Sequence, residues 1–272
     1  MTRPRLTVIT PSLNQATYLE RALRSVLDQG YPDLEYIVMD GGSTDGSVDI
    51  LRRFDDQLTH WVSEPDAGQS WAINRAIERS TGEVIAYINS DDYYLPGAFD
   101  AALPLFSDQS VRWVAGATDY VFADGTLENP WIPRRPRGLR AAWIRRPWYV
   151  PQASSFWRRD VFDEFGLLRE DLHFIFDTEF GLRVAIGRVR PTTLEQTLAV
   201  RYQHDAAKSA DHSAFEAEWV SVADELRAQL SWWEPVADDT LQALWRPQYL
   251  IRKRLGLLGL RRRWLGGRFL RQ

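Results

Sequence analysis

The sequence contains no cysteine, which excludes disulfides, thiolate metal sites and cysteine nucleophiles together. That absence fits a reducing compartment. No apolar run approaches the ~20 residues that span a bilayer. The N-terminus, MTRPRLTVITPS, moves straight into a strand pattern with no signal-peptide core. The expected location is therefore the cytoplasm. GxGxxG is missing after the first apolar run, which argues against a dinucleotide-binding oxidoreductase. PSLNQATYLE holds neither glycine nor lysine, so the glycine-rich basic loop wanted by a sugar-1-phosphate nucleotidyltransferase is also missing. Internal repeats and low-complexity segments are absent as well.

What is present is ordinary for a soluble globular chain: 272 residues, 44% hydrophobic and 26% charged, enough for one good core and a small appendage. Charge is unevenly placed. Residues 246–272 carry nine of the 33 Lys/Arg and no Asp/Glu, leaving 24 basic against 37 acidic residues elsewhere. This tail mixes Leu255, Leu258, Trp264, Leu265 and Phe269 with its arginines, while Gly256, Gly259, Gly266 and Gly267 weaken any helix there. A basic amphipathic segment suits peripheral contact with an anionic membrane face; a tail folded on the acidic body is the alternative. Nucleic acid is not an expected partner, because the body is strongly acidic.

The first hundred residues alternate strand and helix patterns. Leu6 to Thr10 and Leu34 to Met39 are rich in β-branched and apolar residues. A helix lies between them, with Leu19, Ala22, Leu23, Val26 and Leu27 on one face, closed by Gly30-Tyr31-Pro32. A short strand over Leu58 to Ser63, a helix over Ser70 to Ser80 and a buried strand over Val84 to Ile88 follow. This is the order of a doubly wound parallel sheet, whose ligands bind beyond the carboxyl ends of the strands. Those ends carry Thr10-Pro11, Asp40 and Asp91-Asp92. Beyond them, Val111 to Val121 and Thr192 to Tyr202 predict strands, and Val161 to Leu168, Phe176 to Ile186 and Ala214 to Leu230 predict helices. Residues 129–150, with four prolines, read as a long irregular segment and a candidate lid.

The stretch IAYINSDDYYLP carries the chemistry. Adjacent carboxylates at the end of a buried strand repel, and stay ionised only beside a counter-charge. A hard divalent cation, Mg²⁺ or Mn²⁺, shared with ligand phosphates is one such partner. A solvated Asp-Asp turn is the plain alternative.

LTVITPSLNQATYLERALRSVLDQGYPDLEYIVMDGGSTDGS, DAGQSWAINRAI, STGEVIAYINSDDYYLPGAF, PQASSFWRRDVFDEFGLLREDLHFIFDTEFGLR and RYQHDAAKSADH together resemble family 2 glycosyltransferases over roughly residues 5–212. The resemblance implies a GT-A type α/β fold, with a Rossmann-like, mostly parallel sheet flanked by helices. It implies an inverting transfer from a nucleotide-diphosphate sugar to an acceptor hydroxyl, with a divalent metal, Mn or Mg. The boundary it suggests sets a transferase domain at 1–212 and a helical C-terminal extension with the basic tail at 213–272. Polysaccharide or glycolipid assembly in the bacterial cell envelope, on a glycan or lipid-linked acceptor, is the implied setting. The competing reading is a nucleotide-sugar-binding regulator that has lost catalysis.

Residue by residue, the resemblance implies that Thr10, Pro11, Asn14 and Tyr18 wall the base and ribose. It implies that Asp40 accepts from the base, and an imide N–H of uracil or thymine would suit a carboxylate. Gln69, Ser70, Trp71 and Asn74 open a helix facing the donor, and Ser90 and Asp91 touch the ribose-phosphate. Asp91, Asp92 and His204 are the implied metal ligands. Asn89 departs from the common DxD form, since a first Asp often stands there. Asp177, six residues before Arg183, matches the implied general base, with Glu179 as substitute. Lys208 and Ser209 sit in the implied element over the diphosphate. Gln152, Ser154 and Trp157 are placed where acceptor contacts or core packing would fall.

Overall fold

The computed structural model describes residues 3–131, 151–204, 208 and 212–230. The candidate lid beyond Trp131, Ser209 and the basic tail lie outside the described residues.

The first half folds as strand and helix in alternation: β1 (Leu6–Ser12), α1 (Ala16–Leu27), β2 (Leu34–Asp40), α2 (Ser47–Arg53), β3 (His60–Ser63), α3 (Gln69–Arg79) and β4 (Val84–Tyr87). Then follow β5 (Tyr93–Tyr94), α4 (Ala98–Ala102), β6 (Trp113–Phe122), β7 (Leu127–Trp131), β8 (Ser155–Arg158), α5 (Arg159–Phe165), α6 (Phe176–Ile186), β9 (Thr192–Gln203) and α7 (His212–Ala228). The strands form one sheet in the order β3-β2-β1-β4-β8-β6-β9-β5, with β7 beside β6. The β3-β2-β1-β4 half is wholly parallel, as the alternation predicts. The other half is mixed: β8 runs antiparallel to both β4 and β6, and β9 returns parallel to β6.

Both faces of the sheet are covered, which is why β1 and β4 read as continuous apolar runs. Leu6, Val8, Val84, Ala86 and Ile88 face a core shared with Leu19, Leu23 and Val26 of α1 and Phe99 of α4. Ile9, Ile85 and Tyr87 point the other way, to a core built with α3, α5, α6 and α7. Val222, Ala223 and Leu226 of α7 are buried in this second core. Leu230, just beyond α7, is buried in the same core. Gly166, with φ of 79°, stops α5 short of the predicted Leu168.

A buried clamp at the amino ends of the strands sets their alignment. The Glu35 carboxylate accepts from the Thr7 hydroxyl (2.5 Å), the Thr81 N–H (2.7 Å) and the Thr81 hydroxyl (2.9 Å), tying β1, β2 and the approach to β4. Gly82 passes so close that a Cβ there would lie 2.6 Å from the Thr7 nitrogen. G82A is expected to cost about 1–3 kcal/mol or more, because backbone must move to relieve the overlap. Urea unfolding would measure it. No helix among the described residues is long and apolar enough to cross a membrane.

Candidate active site

With the amino ends clamped, the carboxyl ends of β1, β2 and β4 open on one edge of the sheet. Two loops there are stitched together. The Asp40 carboxylate accepts from the Ser43 N–H (2.8 Å), the Ser43 hydroxyl (2.6 Å) and the Ser63 hydroxyl (2.6 Å), and is 1% exposed. Ser43 also accepts from the Asn14 N–H, and the Asn14 side-chain oxygen accepts from the Thr44 N–H. Asn14 holds φ of 52°, a left-handed conformation that asparagine tolerates. Asp40 and Asn14 thus brace the loops against each other. Thr10 is likewise turned inward: it is fully buried, and its hydroxyl lies 2.9 Å from the Tyr36 hydroxyl. Pro11 is buried beside it. Asp66, which the sequence reading passed over, lies over this floor, its Oδ2 3.0 Å from where a Gly41 Cβ would stand.

Asp91 and His204 converge: Asp91 Oδ2 stands 3.2 Å from His204 Nε2, with Tyr18 packed on the imidazole at 4.6 Å between centroids. Arg21, set between the rings of Tyr93 (4.4 Å) and Tyr202 (4.6 Å), donates to the Asp91 carbonyl at 2.9 Å and fixes the loop. Asp92 turns under the loop, where Oδ1 accepts from the Tyr202 N–H at 3.0 Å. Burial, then the Asp91 charge, pushes its carboxyl well above the usual range, with Arg201 opposing. Among the described residues no three His, Asp or Glu side chains group as cation ligands. A carboxylate and an imidazole facing one point fit Mn²⁺, which accepts both donor types, provided a diphosphate and water complete its shell. The Oδ2 of Asp92 is buried without a hydrogen-bond partner.

Beside this pair lies a small cavity of about 70 Å³, open to solvent. Gln69, Asn89, Gln152, Asp177 and Arg201 supply its polar wall, and Phe174, Phe176 and Phe215 its apolar one. Gln69 donates to Asn89 at 2.7 Å and accepts from the Lys208 ammonium at 3.3 Å, so the loop before Asp91 and the 208 element meet at the first residue of α3. Ser70 and Ser90 are buried next to these residues. Asp177 sits in the first turn of α6, where its Oδ1 accepts from the Thr178 N–H at 2.6 Å. Burial raises its pKa, and the charge of Arg201 holds part of that rise back. A raised carboxylate on a cavity wall is suited to taking a proton from a bound hydroxyl. Arg201 also faces Asp92, so one guanidinium serves carboxylates from two elements. A lone arginine inside the apolar run LAVRY was the sequence signal for it.

Three expected site residues serve the framework instead. Both Glu179 oxygens are taken by Arg183 (2.9 and 3.0 Å), which also donates to the Leu167 carbonyl; Glu179 is buried and does not line the cavity. Trp71 packs on the core of the sheet with the Arg75 guanidinium 5.5 Å over its ring. Asn74 is 1% exposed and binds both backbone groups of Leu168, donating at 2.8 Å and accepting at 3.0 Å. N74A is expected to destabilise the chain by about 1–3 kcal/mol, since it leaves both Leu168 groups unpaired in the interior. Donor affinity should not change with it. Thermal unfolding alongside a nucleotide titration would check both. Trp157 stacks on Trp113 at 4.1 Å, and Ser154 bonds Ala117, so both are core.

A sheet-edge pocket with a carboxylate–imidazole pair on one side and a raised carboxylate on the other marks the candidate site of an α/β enzyme. The model of glycosyl transferase family 2 matches residues 7–166, more than half of the chain, and the chain belongs to that family. TuaG of Bacillus subtilis, a glycosyltransferase whose name assigns it to teichuronic acid biosynthesis, is 35% identical over 48% of this chain and 53% of its own. The Escherichia coli glycosyltransferase YibD is 27% identical over 76% of this chain and 64% of its own. The chain spans about half to two-thirds of the length of the curated relatives it matches. Among solved structures, Staphylococcus aureus TarS with UDP-GlcNAc superposes at TM-score 0.65 and 15% identity, covering 83% of this chain and 66% of that one. Mannosyltransferase PcManGT of Pyrobaculum calidifontis, with GDP-Man and Mn²⁺, does so at 0.65 and 22%, covering 89% and 70%. The GT-A fold expected from the sequence is the fold found.

Proposed function

We propose that this chain transfers a sugar from a nucleotide-diphosphate sugar to an acceptor hydroxyl with inversion, in assembly of a bacterial envelope polysaccharide. The observation that carries the reading is Asp177, an acidic side chain of raised pKa on the wall of a cavity shared with Gln69 and Asn89. In the step, the acceptor O–H gives its proton to the Asp177 carboxylate as its oxygen bonds the anomeric carbon. The anomeric bond to the diphosphate breaks on the opposite face, and nucleoside diphosphate leaves. Asp91 and His204 would hold the divalent cation, which supplies positive charge to the leaving diphosphate. Lys208 adds a cation at the same end, and Gln152 and the phenylalanines border the acceptor side. TuaG is named for an envelope polysaccharide, and TarS and PcManGT are seen with nucleotide sugars, which supports this class of donor and product.

A thermal-shift panel of UDP-, dTDP- and GDP-sugars, with and without Mn²⁺, tests the donor. One donor should raise the melting temperature, more so with metal, since ligand at 100 times its Kd adds about 2.7 kcal/mol. No shift with any donor would end the reading. The tail at 246–272 is proposed to bring the enzyme to an anionic membrane face near a lipid-linked acceptor. Liposome co-sedimentation should weaken when it is deleted.

A further inference from the structure

The loop that leads into Asp177 is held from outside its own helix. Ile175 precedes the first turn of α6 and offers no polar side chain, and within that turn Asp177 accepts from the Thr178 N–H. The backbone before the turn is held by Glu218, in the middle of α7. Its Oε1 accepts from the His173 N–H at 2.7 Å. Its Oε2 accepts from the Phe174 N–H at 2.8 Å and the Ile175 N–H at 3.2 Å. Three N–H groups of the segment leading into the helix thus converge on one carboxylate, whose charge also complements the positive end of the helix. The residues so held are the ones around the site. Phe174 and Phe176 form cavity wall and lie 5.6 and 5.7 Å from the Lys208 ammonium, and Asp177 comes two residues after Ile175. One turn before Glu218 on α7, Phe215 lines the same cavity.

We propose that Glu218 is a positioning residue: from the C-terminal helix it fixes the 173–175 backbone and so aims the Asp177 carboxylate and the Phe174–Phe176 wall into the cavity. The inference rests on the transferase reading of Asp177. It makes α7 part of the reacting architecture, beyond its role as cover for the core. A carboxylate is suited to the place because it accepts all three bonds at once. Glutamine keeps the shape and one oxygen; alanine keeps neither.

The test uses the full chain with E218A, E218Q and a control, E225A. Glu225 lies on the same helix and pairs with Arg169, away from the 173–175 amides. Hydrogen exchange should show residues 173–175 exchanging at least about tenfold faster in E218A, with the sheet unchanged. With the stabilising donor of the UDP-, dTDP- and GDP-sugar panel and Mn²⁺, kcat of E218A should fall roughly 10–100-fold while KM for donor stays within about twofold. E218Q should recover part of that loss, and E225A should keep wild-type kcat. Wild-type turnover in E218A, or an equal kcat loss in E225A, overturns the inference alone. A wild-type chain that turns over no donor in the panel overturns the transferase reading and the inference with it.

Discussion

D177N should lose turnover by about 10²–10⁴-fold, the range expected when a general base is removed, and still bind donor with near wild-type affinity. The amide keeps the shape of the side chain and can still accept from Thr178 N–H, which now lies 2.6 Å from Oδ1. What it loses is the ability to take the acceptor proton. Isothermal titration with nucleotide and a release assay for nucleoside diphosphate separate the two effects. D177N with unchanged turnover would remove the residue from the chemistry.

The same carboxylate sets a pH dependence whose sign follows from its surroundings. Asp177 works only when ionised. Burial raises its pKa above the ordinary value of about 4. kcat/KM should therefore be full above that raised value and fall as pH drops through it. Arg201 counters the rise, so R201M should move the acid limb to still higher pH. A limb left in place by R201M would show that the arginine does not act on the base.

D91A is the second large effect. It removes the carboxylate that faces His204, leaving Asp92 turned toward Tyr202 and unable to substitute. A cation on the leaving diphosphate contributes several kcal/mol to the transition state. Turnover should fall by at least about 10²-fold, since each 1.36 kcal/mol is a factor of ten. The extra melting-temperature rise given by Mn²⁺ in the presence of donor should disappear as well. D92N, by contrast, should retain that metal-dependent rise, because the Asp92 Oδ1 is bonded to the Tyr202 N–H.

Much of this was legible because it is local. Short, continuously buried runs at Leu6–Ile9 and Val84–Ile88, and the stripe of Leu19, Leu23 and Val26, announce strands and a helix directly. The carboxyl-end rule then places Asp40, Asp91 and the β1 exit on one edge. The roles at that edge were less legible. Asp40, Thr10, Asn74 and Glu179 are polar and sit at the expected positions, yet each spends its hydrogen bonds on the framework. A sequence does not say which way a polar side chain turns, and that is decided by partners such as Tyr36, Leu168 and Arg183, up to 94 residues away. Arg201 and Glu218 were missed for the same reason, since their meaning lies in what they face.

The order of residues by itself determined the alternating strands and helices, the family resemblance, and the acidic groups at the strand ends, because these depend on periodicity and short spacing. Only the tertiary structure decided that Asp91 pairs with His204 while Asp92 turns away, and that α7 packs into the core beside α6. Those outcomes depend on burial and on contacts between distant segments, where a carboxylate takes whichever donor or cation the packing brings to it.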